Sequence, residues 1–434
     1  MRLGVVIERN NYYRVLAPVV EAALAKGWEV VCWHDYAQPR HGIKGYEFPE
    51  VEAAPRFRHG TPVVQTYEGR AGLPDALARA GIDAVVSIVL PSDPVGAERG
   101  TRRAASWIGL QYAAELSNCL MPPGIFLASL VGLYSGWWLE FGLRYLRELG
   151  ITVAGDDTER EIRQKSVVVG FPELDQFRDL DPAEIRRHWQ IPAGKPVVAF
   201  LPYPFQSNAK TPWSRWVFAG RPRGWRRLRL RLAGEQRLES QLLRGWDDLA
   251  MTRAVRRFCE ANDAYLLVKA RAKDPVPAYL RRVADRVVYD DGHYPATILR
   301  VLGVADLCVH FYSATVLEAA GCGVPGLSIC PELPDMGISL AWQPWVFSRE
   351  EGSAFQFRGV AETMAVGEAI ETLPRKRLAE FALDRDAREA YVAKYLGFGD
   401  GRSSMRLLDA VRAVVEGRSA FCAPSARHVG TQGA

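Results

Sequence analysis

Cysteine is scarce and ungrouped. The 434 residues hold seven, at positions 32, 119, 259, 308, 322, 330 and 422, with no C-x-x-C pair among them. That excludes the close ligand spacing of a structural zinc site. The apolar settings of Cys308, Cys322 and Cys330 point to buried thiols in a reducing cytoplasm, not to a disulfide framework. Charge of one sign is lacking too. A net charge of +5 with a pI near 8.8 gives no ground for a nucleic-acid partner, and suits an anionic substrate or an anionic membrane surface. Leu3 to Ile7 is too short for the apolar core of a signal peptide, so no secretory leader is expected. Long apolar runs are almost absent. The exception is nineteen uncharged residues from Met121 to Leu139. Pro122, Pro123, Gly124, Ser129, Gly132, Ser135 and Gly136 dilute it, so it reads as a buried loop and helix and not as a membrane span.

What is present is globular: 48% apolar and 24% charged residues, in a chain long enough for two cores. Leu3–Ile7 reads as a buried strand, Glu8 to Arg14 as a polar turn, and Val15, Val19, Val20, Ala23 and Leu24 as one helix face stopped by Gly27. Further strands are expected at Trp28–Trp33, Ile82–Leu90, Trp107–Tyr112 and Leu130–Ser135, with a helix from Trp137 to Leu149. The turn after the first strand lacks G-x-G-x-x-G, which excludes a dinucleotide clamp there. Strands and helices alternate again from Pro196, with strands at Pro196–Leu201 and Ala264–Lys269 and a helix at Pro295–Leu302. Such alternation in both halves predicts an α/β protein of two Rossmann-like, doubly wound sheets facing a central cleft.

Between the halves runs Val169-Gly170-Phe171-Pro172-Glu173-Leu174-Asp175. Gly170 permits a bend and Pro172 fixes φ on leaving the strand. The expected division is 1–176 for the first half and 177–398 for the second, with an insertion at 207–246. Residues 399–418 then hold a last helix, and 419–434 form a flexible tail. The insertion places Trp213, Trp216, Trp225 and Trp246 among many arginines, notably from Arg221 to Leu232. Arginine beside tryptophan suits a membrane interface, so peripheral contact with the inner face of the membrane is one expectation; a solvated helix or a dimer contact is the alternative.

The most informative stretch is Ala305 to Pro331. A short apolar strand, Leu307 to His310, leads through Phe311-Tyr312-Ser313-Ala314 into a helix expected to be capped by Thr315 and ended by Gly321 and Gly323. Pro325 blocks a restart, and Leu327–Ile329 is the next strand. This turn aims backbone N–H groups and a helix N-terminus at one point, which suits a phosphate. A core histidine is ordinarily structural and a helix glutamate ordinarily solvated. Here, however, His310 and Glu318 stand eight positions apart, with a small-residue loop between them and Gly323-Val324-Pro325 following.

In these residues the chain resembles the GT-B glycosyltransferases, and in Val169 to Asp175 the capsule, teichoic-acid and epimerase-like group of that fold. Inverting members carry His at the place of His310, where retaining members carry Glu. The resemblance implies that His310 and the loop Ser313, Ala314 and Thr315 hold the diphosphate of a nucleotide-sugar, and that Glu318 holds its ribose. It also implies that the last helix crosses back to the first half. Related enzymes often show Lys-x-His-Pro after an earlier strand. This chain has Lys269-Ala270-Arg271, so Arg271 takes the charge role and the histidine is missing. His293 lies where the base is contacted.

No D-x-D stands where a divalent ion would be needed, so metal-independent transfer is expected, with no cofactor beyond the nucleotide-sugar co-substrate. Glu8, Asp93 and Glu115 all follow strands of the first half, where a desolvated carboxylate can take the acceptor's proton. Glu8 leads. Asn10, Asn11 and Arg14 are expected to touch the acceptor or the donor phosphate. The expected activity is sugar transfer to a glycan, lipid-linked or secondary-metabolite acceptor. UDP-N-acetylglucosamine epimerisation, polyol-phosphate transfer and a non-catalytic adaptor are the alternatives.

Overall fold

The computed structural model describes residues 1–36, 48, 50–90, 105–112, 117–202, 228, 232, 248–270, 276–290, 292–311, 313–330 and 350–418. Two parallel sheets organise them. The first holds β1 (Arg2–Ile7), β2 (Glu29–Asp35), β3 (Val63–Tyr67), β4 (Ala84–Ser87), β5 (Ser106–Leu110), β6 (Leu130–Leu133) and β7 (Ser166–Val168), in the order β3-β2-β1-β4-β5-β6-β7. The second holds β8 (Val197–Phe200), β9 (Tyr265–Lys269), β10 (Arg286–Val288), β11 (Leu307–His310), β12 (Gly326–Cys330) and β13 (Ala361–Ala365), in the order β10-β9-β8-β11-β12-β13.

Both orders reverse once, between β1 and β4 and between β8 and β11. Apart from Arg2, Ser87 and His310 at their ends, the strands around those points are apolar, and all but Arg2 is buried, as parallel strands under helices must be. The helix Tyr13–Ala25 lays Val15, Leu16, Val19 and Val20 onto the first sheet and stops in a left-handed Gly27. The uncharged run from Met121 folds as the short helix Gly124–Leu127, β6 and the start of the helix Gly136–Glu148. No described helix is long and apolar enough to cross a membrane.

The junction does more than bend. After β7 the chain passes Gly170, at φ +93°, where a side chain would run into Ser403, and enters a 3-10 segment, Pro172–Asp179. Asp175 there accepts from the backbone N–H groups of Ser403 (3.0 Å) and Ser404 (2.6 Å), the first residues of the final helix, Ser403–Val415. Arg402, at the cap position of that helix, gives no side-chain cap of its own. The helix then packs Leu407, Leu408 and Val411 into the core of the first sheet. Asp175→Ala is expected to cost about 1–2 kcal/mol, since two helix-start donors lose their acceptor. A drop in the urea midpoint, with faster amide exchange at Ser403 and Ser404, would show it; an unchanged midpoint would refute the cap.

The Trp- and Arg-rich insertion lies outside the described residues except for Leu228 and Leu232, both exposed. The tail from Ser419 lies outside them as well.

Candidate functional site

β11 sits at the reversal of the second sheet, with Val309 paired to Phe200 of β8 on one side and to Leu327 of β12 on the other. Ligands of open parallel sheets bind beyond the carboxyl ends of strands at such a point. Here that end is His310, followed by Ser313, Ala314 and the helix Thr315–Cys322. Two expectations are corrected. Thr315 is the first helical residue and not the cap; the Ser313 hydroxyl accepts from the Thr315 N–H (3.2 Å) and lies 2.9 Å from the Thr315 hydroxyl. Serine at that place is the shorter route to an orphan helix-start donor. Gly321 lies inside the helix, beside Leu174, and Gly323 alone ends it, at φ +78°.

His310 has no exposed surface. Its Nδ1 accepts from the Ser313 N–H over a long 3.4 Å, and burial pushes its pKa down to about 3, so the ring is neutral. An accepting Nδ1 leaves the proton on Nε2, which is buried beside Gly326 and has no partner among the described residues. The imidazole therefore supports the loop from beneath, instead of presenting a nitrogen to solvent. Glu318 is 3% exposed. Its Oε1 accepts from Arg14, while its Oε2 is buried and has no partner among the described residues.

Arg14 comes from the other half, in the first turn of Tyr13–Ala25. Its Nε and Nη2 both reach Oε1 of Glu173, at 2.8 and 2.5 Å, and Nη2 also reaches Oε1 of Glu318, at 2.5 Å. Burial works against the charge on Arg14, but the two carboxylates outweigh it and raise its pKa. Burial pushes the Glu173 carboxyl upward; Arg14 pulls it down and Glu318 adds to the rise, so it stands above the ordinary carboxylate range. Two buried acids thus share one guanidinium that joins the helix Tyr13–Ala25, the junction and the helix Thr315–Cys322.

The remaining site residues are spread around the two strand ends. Glu8 directly follows β1, at the reversal of the first sheet, and is 7% exposed. Asn10 and Asn11 form the turn after it, and Asn11 Nδ2 donates to the Tyr112 hydroxyl (3.0 Å) just past β5. Lys269 ends β9 and donates to the Ala270 carbonyl (3.1 Å). His293, beyond β10, bridges by backbone to Ala296. Asp93, Glu115 and Arg271 lie outside the described residues. Glu173 and Tyr112 were not anticipated: Glu173 occupies an unspecified position of the junction motif, and a lone tyrosine after a strand carries no signal. Among the described residues no cluster of His, Cys, Asp or Glu is arranged to hold a metal ion.

No protein-family model matches the chain, and no curated protein matches it. Solved structures do. The wall teichoic acid polymerase TagF superposes with a TM-score of 0.55 at 11% identity, covering 96% of this chain and 89% of that one. A putative UDP-N-acetylglucosamine 2-epimerase from Listeria monocytogenes gives 0.51 at 11% identity, covering 97% and 98%. The UDP-GlcNAc 2-epimerase from Methanocaldococcus jannaschii gives 0.50 at 12% identity, covering 95% and 99%. The likeness at this identity is one of fold: two Rossmann-like sheets in the GT-B arrangement.

Proposed function

We propose that the chain is a GT-B glycosyltransferase that moves a sugar from a nucleotide donor to a glycan or lipid-linked acceptor. Residues 1–176 form the acceptor half and 177–398 the donor half. The observation that carries this reading is Glu318: a buried carboxylate at the reversal point of the second sheet, one oxygen fixed by Arg14 and the other unmatched. A buried acceptor left open costs about 1–3 kcal/mol and calls for a donor such as a ribose hydroxyl. The loop Ser313–Thr315 at the helix start takes the diphosphate, with His310 holding the loop from below and Lys269 adding charge nearby. Glu8, across the cleft, accepts the proton of the acceptor hydroxyl.

The test is a melting screen with UDP-, GDP-, dTDP-, CDP- and CMP-sugars, with a CDP-polyol as the polyol-phosphate arm. A ligand at a hundredfold its Kd adds about 2.7 kcal/mol, so the matching nucleotide raises the Tm by several degrees. Glu318→Ala is expected to shrink the shift. Should no nucleotide stabilise the unaltered protein, the function is wrong.

A further inference from the structure

Arg14 is separated from Glu318 by 304 positions and belongs to the opposite sheet, yet the two are in direct contact. The manner of contact is informative. Arg14 reaches only Oε1 of Glu318 and leaves Oε2 open, so the carboxylate is fixed along one edge with the other edge unused. Arg14 is itself held: Nε and Nη2 both close on Oε1 of Glu173, whose side chain is 3% exposed. The backbone of Arg14 is held as well, since Gln176 Nε2 donates to its carbonyl (3.1 Å) while Gln176 Oε1 accepts from the Ala296 N–H (2.7 Å) of the second half. The chain of orientation runs from junction to guanidinium to carboxylate.

We infer that Arg14 and Glu173 are positioning residues for donor recognition, Glu173 orienting Arg14 and Arg14 setting the Glu318 carboxylate so that Oε2 receives a ribose hydroxyl. This rests on the reading of Glu318 given above and extends it. Donor recognition then requires both halves of the molecule, because the residue that aims the donor-side acid comes from the acceptor-side sheet. Oε2 is out of reach of solvent in the ligand-free protein. Nucleotide entry therefore includes displacement of whatever covers that oxygen, while Arg14 keeps the opposite oxygen in place. A planar guanidinium can hold two carboxylates at once, whereas an ammonium of equal charge cannot reproduce that fork.

The experiment is calorimetric titration of the full chain with UDP and CDP, each against its 2′-deoxy and 3′-deoxy form. The unaltered protein should prefer one ribonucleotide over its deoxy partner by about ten- to a hundredfold, the worth of one hydrogen bond to a charged group. In Arg14→Lys that ratio should fall to about two or less, with affinity for the deoxynucleotide, which cannot use Glu318, unchanged. Glu173→Ala should move the ratio the same way, and stands in if Arg14→Lys fails to fold. A merely structural role would weaken both nucleotides together and leave the ratio intact, and that result overturns the inference. Tighter binding in either variant overturns it as well, by marking Arg14 as a competitor for Glu318. If the unaltered chain binds nucleotides without distinguishing ribose, the role of Glu318 and this inference both fall while the transferase reading survives. If it binds none, all three fall.

Discussion

Arg14→Met is expected to destabilise the protein by about 3–5 kcal/mol, the usual cost of removing one partner from a buried ion cluster. Glu173 and Glu318, with side chains 3% and 4% exposed, would be left facing each other without the cation they share. Each must then protonate or draw in water, and both alternatives cost free energy. Urea unfolding of the two proteins at pH 7 checks it: the midpoint should fall by the lost free energy divided by the slope of the transition. The companion variant carries Met at 14, 173 and 318 together. Apolar replacement of a whole buried ion cluster is commonly neutral or stabilising, so this triple variant should recover the loss while still failing to prefer a ribonucleotide over its deoxy partner. Recovery of stability without recovery of that preference would show that the cluster is kept for recognition and not for folding. A single variant as stable as the unaltered chain would show that the acids do not depend on Arg14.

The architecture was legible because parallel strands buried on both faces leave continuous apolar runs. Leu3–Ile7, Ile82–Leu90 and Leu307–His310 all fell where β1, β4 and β11 are. The loop-and-helix at His310 to Glu318 was legible for a similar reason: small residues, a β-branched start and a Gly stop are local signals. What stayed hidden is every contact that depends on where the two halves meet. Nothing around Arg14 announces that its partners are 159 and 304 positions away. Asp175 reads as part of a turn and acts as the cap of a helix 228 positions on. His310 was placed at the correct strand end, but periodicity cannot say whether a ring at that end points outward or folds back under the following helix. Burial settled that, by closing the ring in beside Phe355 and Gly326.

Acid is expected to lower the stability of the protein along two successive slopes. His34 and His310 are both without exposed surface, and burial pushes their pKa values down to about 4 and about 3. His34 donates from Nδ1 to the Val51 carbonyl (2.7 Å), so its Nε2 accepts from the Tyr13 hydroxyl (2.6 Å) and has no room for a proton. In the unfolded chain both rings take a proton near pH 6.5. Their contribution is therefore complete above pH 6.5 and is lost as pH falls towards 4 and 3, by about 1.4 kcal/mol per unit for each ring. Glu173 acts with the opposite sign. Its folded pKa is raised, so its contribution is complete below an unfolded value near 4.5 and is lost as pH rises through the folded value. Between pH 6.5 and 4.5 the gain from Glu173 thus offsets one of the two histidines. Below 4.5 Glu173 no longer offsets them, and the stability curve steepens. Urea midpoints at pH 7, 5.5, 4.5 and 4 trace it directly. Glu173→Gln should bring the steep slope up to pH 6.5 by removing the offset, and a combined His34→Gln and His310→Gln variant should reverse the slope between pH 6.5 and 4.5, where only the gain from Glu173 remains. Were the slope the same in all three proteins, the acid sensitivity would have to arise from other groups.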